Sequence, residues 1–330
     1  MPANLPPQYK EAEERFRQAN GHDEKLTALR EMMALLPKHK GTEKLQADLR
    51  RRLAKLEDEA AHGSRGSARR FDPGHVRREG AGQWALIGPP NAGKSSLVRA
   101  LTHAHPEVAP YPFTTRVPLP GMVPFEDVQV QLVDTPAVTP QHAEPYLANL
   151  AHGADGVALV LDVSADDLEA SLAALTALLE RGRVWPASRA LPADAPPFLV
   201  QRPVIVVANK CDLDPDGTFV ALAREAAGPD LPFFAVSAER GIGLEELRRS
   251  VFDLLGRIRI YAKEPGKPPD RERPFVLPGG ATVHDLALQV HKEVAESLRF
   301  ARIWGTARFD GQQVDRHHVL ADRDVVELHV

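Results

Sequence analysis

The sequence predicts an α/β protein: a mixed, mostly parallel sheet as its largest part, a helical hairpin ahead of it and a small α+β unit behind it. Three observations predict this. From Trp84 onward, short runs rich in Val, Ile and Leu alternate with helical patterns. Before that point the apolar residues recur only at helical spacing. After about Arg257 the order becomes strand, strand, helix and strand again within a short stretch.

Taken in order, residues 1–60 read as the helical hairpin. Leu45, Leu49, Leu53 and Leu56 form one helical stripe, Leu26, Leu29, Met33 and Leu36 an earlier one, and Pro37–Gly41 breaks the two. Residues 61–82 are small, polar and charged, which reads as a flexible linker with nothing to pack. Residues 83–256 carry the apolar runs Trp84–Ile87, Val128–Val133, Gly156–Leu161, Val204–Ala208 and Phe233–Val236. Continuous apolar strands separated by helices indicate a sheet covered on both faces. Leu244, Leu247, Val251, Leu254 and Leu255 make a closing amphipathic helix, and the five prolines within 183–203 mark a surface excursion. Residues 257–330 read as strands Ile258–Tyr261 and Pro274–Leu277, a helix Val283–His291, then strands Ala301–Trp304 and Val325–Val330.

Composition narrows the function. With 41 Lys and Arg against 45 Asp and Glu the net charge is −4, so any nucleic-acid contact needs a local basic patch. One such patch lies between Lys38 and Arg78, where twelve basic residues face six acidic ones. A single cysteine, Cys211, rules out an internal disulfide framework and fits a reducing compartment. The first residues show no apolar signal segment, and no apolar run approaches the ~20 residues of a membrane span, so the expectation is a cytoplasmic protein with no membrane contact. The 29 prolines among 330 residues are near twice the usual share and imply many punctuated loops.

The chemistry is carried by four elements. Gly88-Pro-Pro-Asn91-Ala92-Gly93-Lys94-Ser95 matches the phosphate-loop pattern between the strand ending at Ile87 and a helix starting near Ser96. Gly88 and Gly93 let successive backbone N–H groups turn inward onto a phosphate, Lys94 neutralises its oxygens, and the Ser95 hydroxyl is a ligand for magnesium. Asp134-Thr-Pro-Ala137 ends the next apolar strand, where a carboxylate can orient that magnesium. Asn209-Lys210-Cys-Asp212 ends another, and the Asp212 carboxylate can accept two N–H donors that guanine presents and adenine lacks. Ser237-Ala238 follows a fourth strand, where backbone N–H groups can meet the guanine oxygen. All lie at carboxyl strand ends, where open α/β sheets bind ligands.

This ordered set resembles the translation-factor-like small GTPases, and within them the Obg group and its developmentally regulated GTP-binding proteins. Tyr111-Pro-Phe-Thr-Thr115 resembles that group's first switch segment, which implies that Thr115, or Thr114 as the alternative, closes over magnesium and the γ-phosphate. Residues 258–270, Gly280-Ala-Thr-Val283, Trp304-Gly305 and residues 317–330 resemble the TGS domain, a β-grasp module. The basic segment ending at Leu56 resembles the family's N-terminal helices. The family carries a further domain inserted after its third nucleotide motif; here the interval from Asp162 to Val204 leaves room only for a helix and the proline-rich excursion. Ala137 stands where the family shows glycine, which implies a slower or biased switch. Val138 stands where many GTPases hold a water-positioning glutamine. Asn91 resembles the asparagine that coordinates potassium in potassium-activated relatives; capping of the loop backbone is its other reading.

The functional expectation is a GTP/GDP switch with slow magnesium-dependent, potassium-assisted hydrolysis, read out by the ribosome or another structured RNA, or by an unidentified protein partner. The TGS domain and the basic helices, with Arg50–Arg52 and Lys38, Lys40, Lys44 and Lys55, would make that contact. Two alternatives stay open: a nucleotide-dependent binding module that scarcely hydrolyses GTP, and a sensor of guanosine tetraphosphate. Trp304 reads as a core strand residue, with base stacking as its second reading.

Overall fold

The computed structural model describes residues 9, 15–16, 22–36, 49, 51, 76–102 and 117–330. The chain divides into two compact units, Met1–Asp72 and Pro73–Val330. In the first unit α1 (His22–Leu35) contributes Leu29 and Met32, with Leu36 just beyond it, to a small core with Tyr9 and Leu49. Leu49 and Arg51 are helical, and Arg51 is exposed. Leu45, Leu53, Leu56, Lys38, Lys40, Lys44, Arg50, Arg52 and Lys55 lie outside the described residues, as do 61–75 and Tyr111–Thr115.

The second unit opens with β1 (Gln83–Ile87), then α2 (Lys94–Thr102), β2 (Leu119–Phe125), β3 (Val128–Asp134), α3 (Tyr146–Gly153), β4 (Gly156–Asp162) and α4 (Leu168–Arg181). It continues with β5 (Val184–Pro186), β6 (Val200–Arg202), β7 (Val204–Asn209), α5 (Thr218–Ala227), β8 (Phe233–Ala235) and α6 (Leu244–Asp253). The main sheet has the order β2-β3-β1-β4-β7-β8, parallel throughout except for the antiparallel β2–β3 pair. One face is packed by α2 and α6 around Trp84, Leu97, Leu101, Leu247 and Val251. The other is packed by α3 and α4 around Ile87, Leu147, Leu159 and Leu175. Trp84 is fully buried, and its ring N–H donates to the Val251 carbonyl at 2.9 Å, which fastens the closing helix to β1.

Three stretches depart from the sequence reading. Strand β2 was not expected, because Leu119–Phe125 holds Pro120, Gly121 and Pro124. It survives because it is an edge strand, pairing only with β3, so the missing donors need no second neighbour. Residues 76–82, expected as the end of a linker, run against β3: Ala81 N–H donates to the Gln129 carbonyl, and Gln131 N–H to Gly82. Smallness is what permits this approach. A Cβ on Gly80 would stand 2.2 Å from the Gln129 carbonyl oxygen, and its φ of +71° also favours glycine. The proline-rich excursion holds the short parallel pair β5–β6; between β4 and β7 lie only this pair and α4.

The second sheet comprises β9 (Arg257–Ala262), β10 (Phe275–Pro278), β11 (Phe300–Trp304), β12 (Gln312–Val314) and β13 (Val325–His329), in the order β10-β9-β13-β11-β12. Helices α7 (Val283–Val290) and α8 (Lys292–Ser297) accompany it. Helix α7 starts where Gly280-Ala-Thr-Val283 places Thr282 as its cap: Thr282 accepts from Asp285 N–H, and the Asp285 carboxylate accepts from Thr282 N–H at 2.7 Å. The core beneath is Ile260, Leu277, Leu286, Ala301, Ile303 and Val326. Strand β12 and helix α8 were not read from the sequence; both are short. Among the described residues no helix is long and apolar enough to cross a membrane.

Candidate functional site

The phosphate-loop residues lie between β1 and α2, as their pattern requires. Asn91 has φ +60°, a left-handed conformation that asparagine tolerates, and its side chain is exposed. Gly93 has φ +85°, and a Cβ there would stand 2.2 Å from the Asn209 Nδ2. Glycine is therefore required twice, by backbone angle and by space. Ala92 is fully buried, Ser96 is half-buried in the first turn of α2, and Gly88 ends the run out of β1.

Lys94 is buried and donates to the Gly88 and Pro89 carbonyls at 2.9 and 3.0 Å. Burial lowers its ammonium to about 8, against the opposing pull of Asp134. Ser95 Oγ donates to Asp134 Oδ2 at 2.5 Å. Asp134 is buried at the end of β3; burial raises its carboxyl above the usual range, although the Ser95 hydrogen bond opposes it. Its other oxygen, Oδ1, is buried and has no hydrogen-bond partner among the described residues. A hydroxyl and a half-satisfied carboxylate at the mouth of a phosphate loop are the donor set a hard divalent cation takes, so the residues fit magnesium. Beyond Asp134, the Thr135 hydroxyl donates to Leu86 at 2.6 Å and Val138 N–H to Gly88 at 3.0 Å. The Val138 side chain is buried in the core rather than facing the site.

At the base-reading end, Asn209 joins two loops. Its Nδ2 donates to the Ala92 carbonyl at 2.9 Å, and its Oδ1 accepts from Ala238 N–H at 3.1 Å. Lys210 is left-handed (φ +65°) and donates to Asp162 Oδ2 at 2.5 Å. Burial pushes the Asp162 carboxyl up, but the Lys210 and Ser164 hydrogen bonds outweigh it and hold it below its ordinary value. Asp212 sits in a single helical turn, Cys211–Leu213, and is half-buried. Cys211 is half-buried, and burial raises its thiol, which makes a reactive thiolate less accessible.

The structure corrects one detail. Both backbone N–H groups of Ser237-Ala238 were expected to face a base oxygen. Ser237 N–H instead donates to the Ile242 carbonyl, and Ser237 Oγ accepts from Arg240 N–H, because the loop folds back on itself before α6. Of the two, only Ala238 N–H stands on a side-chain acceptor, Asn209. Sequence reasoning missed Asp162, which orients Lys210; its position at the carboxyl end of β4, beside the other site residues, was the available signal. Trp304, expected in the core, is half-buried with Lys263 Nζ 4.6 Å from its ring centre. Thr115 lies outside the described residues.

Comparison with known proteins agrees with this geometry. Residues 83–210 match the family described as 50S ribosome-binding GTPase, and residues 258–330 match the TGS domain. A GTP-binding protein of Halobacterium salinarum is 30% identical over 371 aligned positions, covering 93% of this chain and 99% of the relative. One from Methanocaldococcus jannaschii is 28% identical over 93% of each chain. Developmentally-regulated G-protein 2 of Arabidopsis thaliana is 27% identical over 92% of this chain and 90% of its own. The solved GTP-binding protein of Pyrococcus horikoshii OT3 matches 75% of this chain and 99% of its own at 18% identity, with a TM-score of 0.49, too loose a likeness to add weight. The aligned spans exceed 330 positions, so these relatives carry residues this chain lacks. Identity sustained from end to end of both partners places the chain in the family of developmentally regulated GTP-binding proteins.

Proposed function

We propose that this chain is a guanine-nucleotide switch that hydrolyses GTP slowly and reports its state to the ribosome or another structured RNA. The observation that carries the reading is Asn209, whose one side chain ties the phosphate loop to the base-reading loop, while Ser95 and Asp134 meet at the same edge with one carboxylate oxygen unpartnered among the described residues.

The inward amides of Gly88–Ser95 and the Lys94 ammonium hold the β- and γ-phosphates, and Asp212 reads the guanine edge. Magnesium, held by Ser95 and Asp134 with Thr115 from the first switch segment, would supply charge neutralisation on the phosphate oxygens. Water attacks the γ-phosphorus in line with the departing diphosphate. Val138 contributes nothing to aiming that water, because its side chain is in the core and its N–H is spent on Gly88. Turnover is therefore expected far below the roughly 1–100 s⁻¹ of kinases. The exposed Asn91 makes no side-chain hydrogen bond with another described residue, which leaves it free as a potassium ligand. The same burial of Val138 favours the second reading, a binding module with little hydrolysis. The likeness of residues 83–210 to ribosome-binding GTPases and the TGS match support an RNA or ribosomal partner.

Single-turnover hydrolysis of GTP with magnesium separates the two readings: a measurable first-order rate supports the enzyme, none supports the binding module. Equal rates in KCl and NaCl at matched ionic strength would remove potassium from the scheme. Asp212→Asn should move preference toward xanthosine nucleotides; retained guanine specificity would contradict the role given to Asp212. Co-sedimentation with ribosomal subunits, stronger with a non-hydrolysable GTP analogue than with GDP, tests the partner, and no binding in either state turns the search to other RNAs and proteins.

A further inference from the structure

Far from the nucleotide edge, one arginine of the TGS sheet gathers three carboxylates. Arg259 has a side chain only 4% exposed. Its Nε and Nη2 donate to Asp322 at 3.0 and 2.6 Å, within its own domain. Its Nη1 crosses to the GTPase sheet, donating to Asp127 at 2.9 Å and to Glu126. Glu126 and Asp127 are the tip of the β2–β3 hairpin. Arg323 reaches the same Glu126 carboxylate at 2.5 Å, and the Tyr261 hydroxyl donates to Asp127 at 2.5 Å. The guanidinium also lies 5.0 Å from the ring centre of Phe252 on α6 and 5.9 Å from that of Phe125 at the end of β2, two rings stacked at 4.6 Å. Glu126 takes φ +51°, an uncommon backbone for a residue with a side chain, at the point where two arginines hold it.

Such a cluster could serve only to glue two domains together. What gives it another consequence is where the hairpin leads. Its seven paired positions run from Phe125 opposite Val128 at the tip to Leu119 opposite Asp134 at the other end. Asp134 is the carboxylate beside Ser95, and Leu119 follows the Tyr111–Thr115 segment by four residues. At ~3.4 Å per residue the ladder spans roughly 20 Å, and a continuously paired antiparallel hairpin moves as a body. A shift at one end is therefore felt at the other.

We propose that Arg259 is a positioning residue of the nucleotide site: by fixing the tip of β2–β3 it sets where Leu119 and Asp134 stand, and so couples nucleotide state to the placement of the TGS domain. The inference rests on the guanine-nucleotide reading above. Coupling of this kind is reciprocal, so whatever the TGS domain's partner does to the tip is returned as a change in nucleotide preference.

The test uses the full chain with Glu126→Ala and Asp127→Ala together, which removes the acceptors that hold the hairpin while Arg259 keeps Asp322 and the TGS domain keeps its own fold. Two quantities are read: amide hydrogen exchange across 119–134, and the ratio of dissociation constants for a non-hydrolysable GTP analogue and GDP. The expected result is faster exchange at the hairpin and a ratio changed by about fivefold or more, the lower end of ordinary coupling. In the wild type, replacing GDP with the analogue should also change exchange in 257–263, and that response should vanish in the double variant. Faster exchange with a ratio within twofold of wild type would make Arg259 mere glue and overturn the proposal. Unchanged exchange would overturn it too, because the tip would not be held by these contacts. A wild type that binds neither nucleotide would overturn the guanine reading itself.

Discussion

Replacing Asn209 with alanine should damage the site and the fold together, by an amount the hydrogen bonds allow one to work out. Asn209 is 2% exposed, and its side chain spans from the Ala92 carbonyl to Ala238 N–H. Alanine leaves both partners without it. Ala92 is fully buried, so its carbonyl bears the penalty of an unsatisfied buried group, about 1–3 kcal/mol. Ala238 is half-buried, so water can replace the bond and the loss there is about 0.5–1 kcal/mol. The total is roughly 2–4 kcal/mol. At about 2–4 °C per kcal/mol for a domain of this size, the midpoint of thermal unfolding should fall by roughly 4–16 °C. Because the same bonds set the phosphate loop and base-reading loop in register, affinity for GDP should fall about ten- to hundredfold, measured by fluorescent-nucleotide titration at a temperature where the variant is folded. A variant with an unchanged midpoint and unchanged affinity would refute the reasoning, since buried groups that lose a partner at no cost were never held by it.

The other predictions are narrower. Gly93→Ala puts a methyl where Asn209 Nδ2 stands, 2.2 Å away, on a backbone at φ +85°; nucleotide titration should show binding nearly abolished, while circular dichroism shows the sheet intact. The interdomain cluster should weaken in acid. Hydrogen bonds from Arg259 and Arg323 hold the Glu126 carboxyl below its ordinary value; Asp322 is also lowered, since its hydrogen bonds to Arg259 outweigh the effect of burial. A lowered carboxyl binds fewer protons folded than unfolded, so its contribution is full at neutral pH and drains away below about pH 4.5. Thermal unfolding between pH 7 and 3 should lose stability in that window, and Glu126→Gln should lose less.

How much of this was legible beforehand depended on whether a signal was local. Strands β1, β4 and β7 carry continuous apolar runs because helices cover both faces, and β3 alternates Val with Gln before Leu132 and Val133, so the sequence displays all four openly. Strand β2 was hidden because prolines are permitted on an edge that a propensity argument cannot see. Residues 76–82 were misjudged for a related reason: smallness was read as having nothing to pack, whereas at Gly80 it is the condition for lying against Gln129. The site residues were visible because each sits in a motif at the end of its own strand. The bonds among them were not, because Asn209 reaches Ala92 across 117 positions and Arg259 reaches Asp127 across 132. Pairings at such separation leave no pattern in a single sequence; Arg259 stands there as an unremarkable basic residue in an alternating strand.

The bonds at Gly88 bear on how the site would switch under the proposed guanine-nucleotide reading. The Gly88 carbonyl accepts two donors: the Lys94 ammonium at 2.9 Å and Val138 N–H at 3.0 Å. A phosphate in the loop competes for the first, because an ammonium gains more from an anion than from a carbonyl. It leaves the second, from Val138 N–H, in place. The stretch that follows Asp134 is anchored from below by Val138 in the core and by the Thr135 hydroxyl on Leu86, so what can respond is the short piece between, Pro136 and Ala137, together with the hairpin arm that ends at Asp134. One carbonyl therefore joins Lys94 to the segment that follows Asp134. Val138, in turn, is part of the anchor, with its side chain in the core. Under the proposed guanine-nucleotide reading, this arrangement would favour a well-defined difference between nucleotide states over a rapid passage from one to the other.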